Sequence, residues 1–273
     1  MDMMHSADVE ICHQSSGVIA NLAEATENQG IMVEKEIIQH LKYSTRSKSI
    51  DIQREGVRAL ANISAEFAYA PAIVAAGALL ALVTSLSSPD FLCQRYAVMG
   101  VGNLACNPAN QKKIMQEGAV PALVSLAKFE NGDLECQRYA ALALTNLSAT
   151  KTNHTVMMDT GCVTLFRTLI DHQDVEIRNT CAFAIANFAS NPMTHQSLMK
   201  SECLLPMVAL LHLSDKNAQL RGVSFLRGLS TDADIRLDII ECNALEPLLL
   251  LSKSDDVEVQ METLACLCNL SLC

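Results

Sequence analysis

The sequence predicts an all-α fold, an α-solenoid in which one helical unit is copied in a row. Three observations predict it. First, a polar marker recurs: Asn21, Asn62, Asn103, Asn146, Asn187 and Asn269, with Gly228 in the gap between the last two, at intervals of 41, 41, 43, 41, 41 and 41 residues. A period of about 40 residues is the signature of stacked helical units. Second, the residues around the marker repeat with it at helical spacing. Third, the chain of 273 residues is 50% hydrophobic yet only 4% aromatic, with no Trp, which suits helices packed through Leu, Ala, Val and Ile. Each unit then buries its face against its neighbours, so no single large core is needed.

The elements follow in order. The longest helix carries the marker. Two positions before it stand Ile19, Leu60, Val101, Leu144, Ile185, Leu226 and Leu267, and one after it Leu22, Ile63, Leu104, Leu147, Phe188, Leu229 and Leu270. Positions three apart share a helix face. Two after the marker the residue is always small: Ala23, Ser64, Ala105, Ser148, Ala189, Ser230 and Ser271. This predicts a neighbouring helix passing close. Gln53, Gln94, Gln137, Gln219 and Gln260 stand near the start of this helix. After it comes a short amphipathic run, such as 111–117 or 154–159, ended by Gly77, Gly118, Gly161 or Asn243, residues that tolerate the left-handed conformation of a helix end. An apolar run follows (78–86, 119–127, 162–170, 244–251), with Pro121, Pro206 and Pro247 in positions fit for a first turn. Polar breaks close the unit at 87–90, 130–133, 171–174, 214–217 and 254–256, and a longer break around Asn131 and Gly132 accounts for the 43-residue interval. The unit is short helix, helix, long helix. The predicted organisation is one array over 1–273: a lone third helix at 8–25, then repeats 26–67, 68–108, 109–151, 152–192, 193–233 and 234–273.

Three helices in about 41 residues, the Gly-Ala-Val-Pro-Ala-Leu-Val phrase at 118–124 and the Ala-Leu-Thr-Asn-Leu-Ser phrase at 143–148 resemble armadillo repeats over nearly the whole chain. HEAT repeats lack this glycine turn and asparagine. The resemblance implies a right-handed superhelix whose third helices line a concave groove, and a role in binding protein segments. Within the family, importin-alpha proteins carry Trp in the groove. This sequence has none, and is more similar to beta-catenin-like and vacuolar armadillo scaffolds. The expected function is a protein-interaction scaffold or adaptor. The alternatives are a regulatory armadillo region of a larger protein such as a ubiquitin ligase and, least, a nuclear-import adaptor.

The stripe at positions −8, −4 and 0 of the third helix lies off the apolar face and is expected to face a groove. Asn62, Asn103, Asn146, Asn187 and Asn269 would clamp the backbone of an extended segment, because an amide offers donor and acceptor together. The same amides could instead brace the solenoid, and the two roles are compatible. Specificity is expected from Arg54, Arg58, Arg95 and Arg138 in the first half, and from Phe183, Leu220 and Met261 in the second, a pattern that fits a partner with an acidic stretch followed by apolar anchors. Pairing of the arginines with carboxylates of adjacent repeats is the competing expectation.

Other classes find little support. A net charge of −10 argues against a nucleic-acid partner. No apolar run reaches the ~18–20 residues that direct membrane insertion needs. The eleven cysteines form no C-x-x-C pair, so they read as reduced, buried small hydrophobes, with no metal and no cofactor expected. No nucleophile elbow, Walker loop, dinucleotide fingerprint or H-E-x-x-H motif occurs. The histidines scatter; His154, His172 and His195 fall at helix starts or breaks and read as solvated. No enzymatic activity is expected. Leu264, Leu267 and Leu270 are expected on an uncapped end surface, which invites either a longer protein or end-to-end self-association. The expected location is the cytoplasm, with the nucleus as a second compartment.

Overall fold

The computed structural model describes residues 2–128 and 133–272, among which there is no strand. Helix α1 (Val9–Leu22) stands first. It is followed by α2 (Thr26–Glu34), α3 (Ile37–Ser44) and α4 (Ile50–Ser64); α5 (Ala70–Ala75), α6 (Ala78–Ser85) and α7 (Phe91–Ala105); and α8 (Pro108–Gln116), α9 (Ala119–Lys128) and α10 (Leu134–Ser148). Then come α11 (His154–Asp159), α12 (Cys162–Leu169) and α13 (Val175–Ala189); α14 (His195–Lys200), α15 (Leu204–Ala209) and α16 (Lys216–Leu229); and α17 (Arg236–Glu241), α18 (Leu245–Leu251) and α19 (Val257–Leu270). The order is the predicted one, an armadillo-type α-solenoid. The break at 130–133, with Asn131 and Gly132, falls on residues outside the described set except for Asp133.

Local chemistry explains the boundaries. Five of the long helices begin at an aspartate thirteen residues before the marker, whose carboxylate accepts from the first free N–H groups: Asp8 from Glu10 and Ile11, Asp90 from Cys93, Asp174 from Ile177, Asp215 from Asn217, and Asp256 from Glu258 and Val259. Between the first and second helices the chain turns through a left-handed residue. Gly77, Gly118 and Gly161 have φ of 73°, 75° and 82°, and Asn243 has 59°, as expected. Glu36 and Glu202 fill the same place in the other two repeats, each at φ 55°. A glutamate there costs about 1–2 kcal/mol, because Cβ crowds the carbonyl.

The chain forms two compact units, Met1–Leu147 and Ser148–Cys273. In the first unit α1, α4 and α7 pack side by side in a row; in the second, α13, α16 and α19 do the same. The −2 residues Leu60, Val101, Leu144, Ile185 and Leu226 and the +1 residues Ile63, Leu104, Leu147, Phe188 and Leu229 are all buried. At the end of the second unit, Leu264 is exposed and Leu267 half-buried, but Leu270 is buried, contrary to expectation. No single helix among the described residues is long and apolar enough to cross a membrane; the one pair that reaches the length, Phe67–Ala75 with Ala78–Ser85, is bent by 94°.

One position shows how tightly the rows pack. A Cβ on Gly228 would stand 2.4 Å from the carbonyl oxygen of Ala189. The end of α13 touches the backbone of α16, and no side chain fits. The marker asparagine is absent there for a steric reason.

Candidate functional site

The marker asparagines sit on an accessible face of the rows. Asn62, Asn103, Asn146, Asn187 and Asn269 are half-buried, neither sealed in nor fully in water. Each turns its Nδ2 group back onto the preceding repeat. Asn103 donates to Ser64 Oγ (3.2 Å), Asn187 to Ser148 Oγ (3.0 Å) and Asn269 to Ser230 Oγ (3.1 Å). Where the +2 residue is alanine the donor goes elsewhere: Asn62 to the Ala20 carbonyl (3.4 Å) and Asn146 to Cys106 Sγ (3.2 Å). The small +2 residue therefore does more than make room, since as serine it accepts from the next repeat. An amide carries two N–H donors and an oxygen with two lone pairs. One N–H braces the stack, while among the described residues the Oδ1 atoms of Asn62, Asn103, Asn146, Asn187 and Asn269 accept no bond.

Two further recurring positions serve the scaffold. Nine residues before the marker, Gln53, Gln94 and Gln219 each donate to the carbonyl six residues back, at Ser47, Ser88 and Leu213, closing the break before the long helix. Arg178 does the same work with its guanidinium on His172. Eight residues after the marker, a donor caps the +2 carbonyl at the end of the long helix. Gln29 binds Ala23 and also the Asn62 carbonyl one repeat on; Gln111 binds Ala105 and the Asn146 carbonyl. His154 binds Ser148 (2.7 Å), His195 binds Ala189 (2.9 Å) and Arg236 binds Ser230 (2.8 Å). The solvated reading of His154 and His195 is thus corrected: both are buried, because each replaces glutamine as a cap. His154 Nδ1 also pairs with Asn191 Nδ2 (3.1 Å). Burial holds its pKa below the ordinary 6.5, so it stays neutral with the proton on Nε2.

The predicted specificity residues fare unevenly. Arg54 holds Asp90 through two bonds (2.9 and 2.6 Å) and also Asp51 (2.8 Å). Asp90, beside that guanidinium, is held down to a pKa of about 2. Arg58 pairs with Glu55 and with Glu24 of the preceding repeat, and binds Asn21 Oδ1. Arg95 pairs with Asp133 and Glu135 of the next repeat. Arg138 is half-buried. These pairings match the competing expectation for Arg54, Arg58 and Arg95, in which carboxylates of the chain itself engage the arginines. In the second half Met261 is exposed and Phe183 accessible, but Leu220 is buried at 8% and leaves the predicted apolar stripe.

The reason is helical geometry. At about 100° per residue, position −8 lies about 80° from the marker, whereas −7 returns to within about 20°. Arg221, at −7, occupies the face that was assigned to Leu220. Its guanidinium carbon stands 3.8 Å from the centroid of the Phe183 ring.

Among the described residues, no group of three or more His, Cys, Asp or Glu is arranged to hold a metal ion. Burial pushes the thiols of Cys93 and Cys136 up to about 11 and those of Cys203 and Cys266 up to about 12, which suppresses the nucleophilic thiolate. The arrangement offers hydrogen-bonding amides in rows, flanked by cations and an aromatic ring.

Residues 107–149 and 232–272 match the Armadillo/beta-catenin-like repeat family. No protein with a curated description matches the chain. Among solved structures, an engineered protein from a structural genomics consortium has a TM-score of 0.91 at 29% identity, covering 99% of this chain and 67% of that one. A second engineered protein from the same source has a TM-score of 0.78 at 29% identity, covering 86% of this chain and 96% of its own. A designed armadillo repeat protein in complex with the peptide (KR)4 has a TM-score of 0.77 at 23% identity, covering 85% of this chain and 99% of its own. The fold is of the armadillo type.

Proposed function

We propose that this chain is a protein-interaction module that holds extended protein segments along the asparagine-bearing faces of its third helices. The observation that carries it is the half-used amide: Asn62, Asn103, Asn146 and Asn187 each spend one N–H on the preceding repeat and keep Oδ1 and the second N–H open, and Asn269 keeps its Oδ1 open. Packed helices stand about 8–10 Å apart. An extended chain rises about 3.3 Å per residue, so one amide meets the backbone every two to three residues. Such contacts ignore side-chain identity, and each is worth only about 0.5–1.5 kcal/mol, so several rungs must act together. The designed relative bound to (KR)4 holds its peptide on the same fold.

The finer reading, a beta-catenin-like scaffold for partly acidic segments, rests on Arg54, Arg58, Arg95 and Arg138 and on the absence of Trp, which also speaks against nuclear import. An acidic segment would exchange with Glu24 or Glu135, both exposed. Exchange of partly exposed pairs of this kind costs little, about 0.2–1 kcal/mol each. Ten free cysteines among the described residues support a reducing compartment, the cytoplasm or nucleus. The net charge of −10 supports a protein partner over nucleic acid.

The test separates clamp from brace. Ser64→Ala, Ser148→Ala and Ser230→Ala together remove the bracing acceptors and leave the amides. Asn103→Ala, Asn187→Ala and Asn269→Ala together remove both. With a partner captured by the wild type, the serine variant is expected to keep binding and the asparagine variant to lose it. Equal loss in both, tracking loss of stability, would contradict the clamp.

A further inference from the structure

Arg221 stands apart from the arginines around it. It lies on α16 seven residues before Gly228, on the face it shares with Ser224. Arg54, Arg58, Arg95 and Arg227 are each tied to carboxylates. Arg221 makes no ion pair, and its N–H groups find no acceptor among the described residues. It is half-buried, and desolvation lowers its pKa while Glu258 opposes that at longer range. Its guanidinium instead lies over Phe183. Stacking fixes the plane of the group and leaves the forked N–H edge open. Phe183 is one turn from Asn187 on α13, whose Oδ1 is also open. The amide row breaks at Gly228, where Ala189 leaves no space for a side chain. A side-chain anchor is therefore presented in the repeat that has no backbone rung.

We infer that Arg221, shelved on Phe183, receives the carboxylate of an aspartate or glutamate in an extended segment lying across α13 and α16. This deepens the reading of the asparagine rows and rests on it. A carboxylate matches the guanidinium fork with two parallel bonds. A doubly charged phosphate is disfavoured by Glu258 and by the net charge of −10. The site carries the acidic preference that the sequence assigned to Arg54, Arg58, Arg95 and Arg138.

The experiment selects displayed random 12-residue peptides on the full chain, and on its Arg221→Gln and Asn187→Ala variants. An enriched peptide, its Glu→Gln or Asp→Asn counterpart and its phosphoserine counterpart are then titrated by calorimetry at 0.15 M salt. Wild-type selections are expected to fix an acidic residue at one position. Arg221→Gln is expected to weaken that peptide roughly tenfold to a hundredfold and to leave the neutral counterpart unchanged. Arg221→Lys, which keeps the charge and loses the fork, is expected to fall between, and serves if the glutamine variant does not fold. The inference is overturned by selections without a fixed acid, by equal binding of both peptides to Arg221→Gln, or by tighter binding of the phosphoserine peptide. In those outcomes the asparagine rows stand if Asn187→Ala still abolishes binding. Failure of the wild type to retain any peptide overturns both readings.

Discussion

Glycines in these helices are of two kinds, and single substitutions separate them. A Cβ on Gly228 collides with the Ala189 carbonyl at 2.4 Å, so Gly228→Ala is expected to lower stability by about 3 kcal/mol, the upper part of the overpacking range. A Cβ on Gly17 meets only the Glu55 side chain at 3.8 Å, so Gly17→Ala is expected to raise stability by about 0.5–1 kcal/mol through helix propensity. Urea unfolding of both variants checks the contrast. His154 gives a pH test. Its folded pKa lies below the ordinary value, so the unfolded chain takes the proton first. Its contribution is complete above pH ~6.5 and declines as the pH falls. His154→Gln installs the cap used at Gln29 and Gln111. It is expected to flatten the melting temperature between pH 7 and 5 relative to wild type, and an unchanged slope would contradict the assignment. At this scale the sequence was legible where one residue type recurs, as the asparagines do. It was not legible where Gln, His and Arg share one task at +8, because residue type hides the shared donor. Arg221 was missed because counting by four and eight drifts off the helix face.

The helices themselves were readable because three local signals agree: the apolar period, the glycine turn and the polar break. Glu36 and Glu202 went unread as turn residues, since nothing in a glutamate signals φ of 55°. Glu202→Gly is expected to stabilise by about 1 kcal/mol by removing that strain, measured as a rise in unfolding midpoint. The start of α7 shows the opposite economy. Asp90 caps the helix through Cys93 N–H and binds Arg54 of the preceding repeat, so one carboxylate joins two elements. Asp90→Ala is expected to cost about 1 kcal/mol or more. Since the Asp90 pKa is lowered to about 2, its contribution is present above the ordinary 3.8 and lost as pH falls from there toward 2. Wild type is expected to lose stability over that window more steeply than Asp90→Ala in acid-unfolding curves.

For the molecule as a whole, the recurring positions of the repeats are spent on bracing and on presenting amides. That division explains why the fold was legible and the partner was not. Bracing must satisfy this chain's own backbone, so it leaves a periodic trace at −9, +2 and +8. Recognition would answer to another chain's sequence, and Arg221, which makes no ion pair among the described residues, breaks the period instead of following it. The most direct measurement is a crystal structure of the full chain with a peptide selected on it. The expected complex holds an extended peptide whose backbone N–H and C=O groups meet the open amide groups of marker asparagines, with an acidic side chain on Arg221. A peptide bound as a helix, or seated on the first and second helices with those amides untouched, would contradict it.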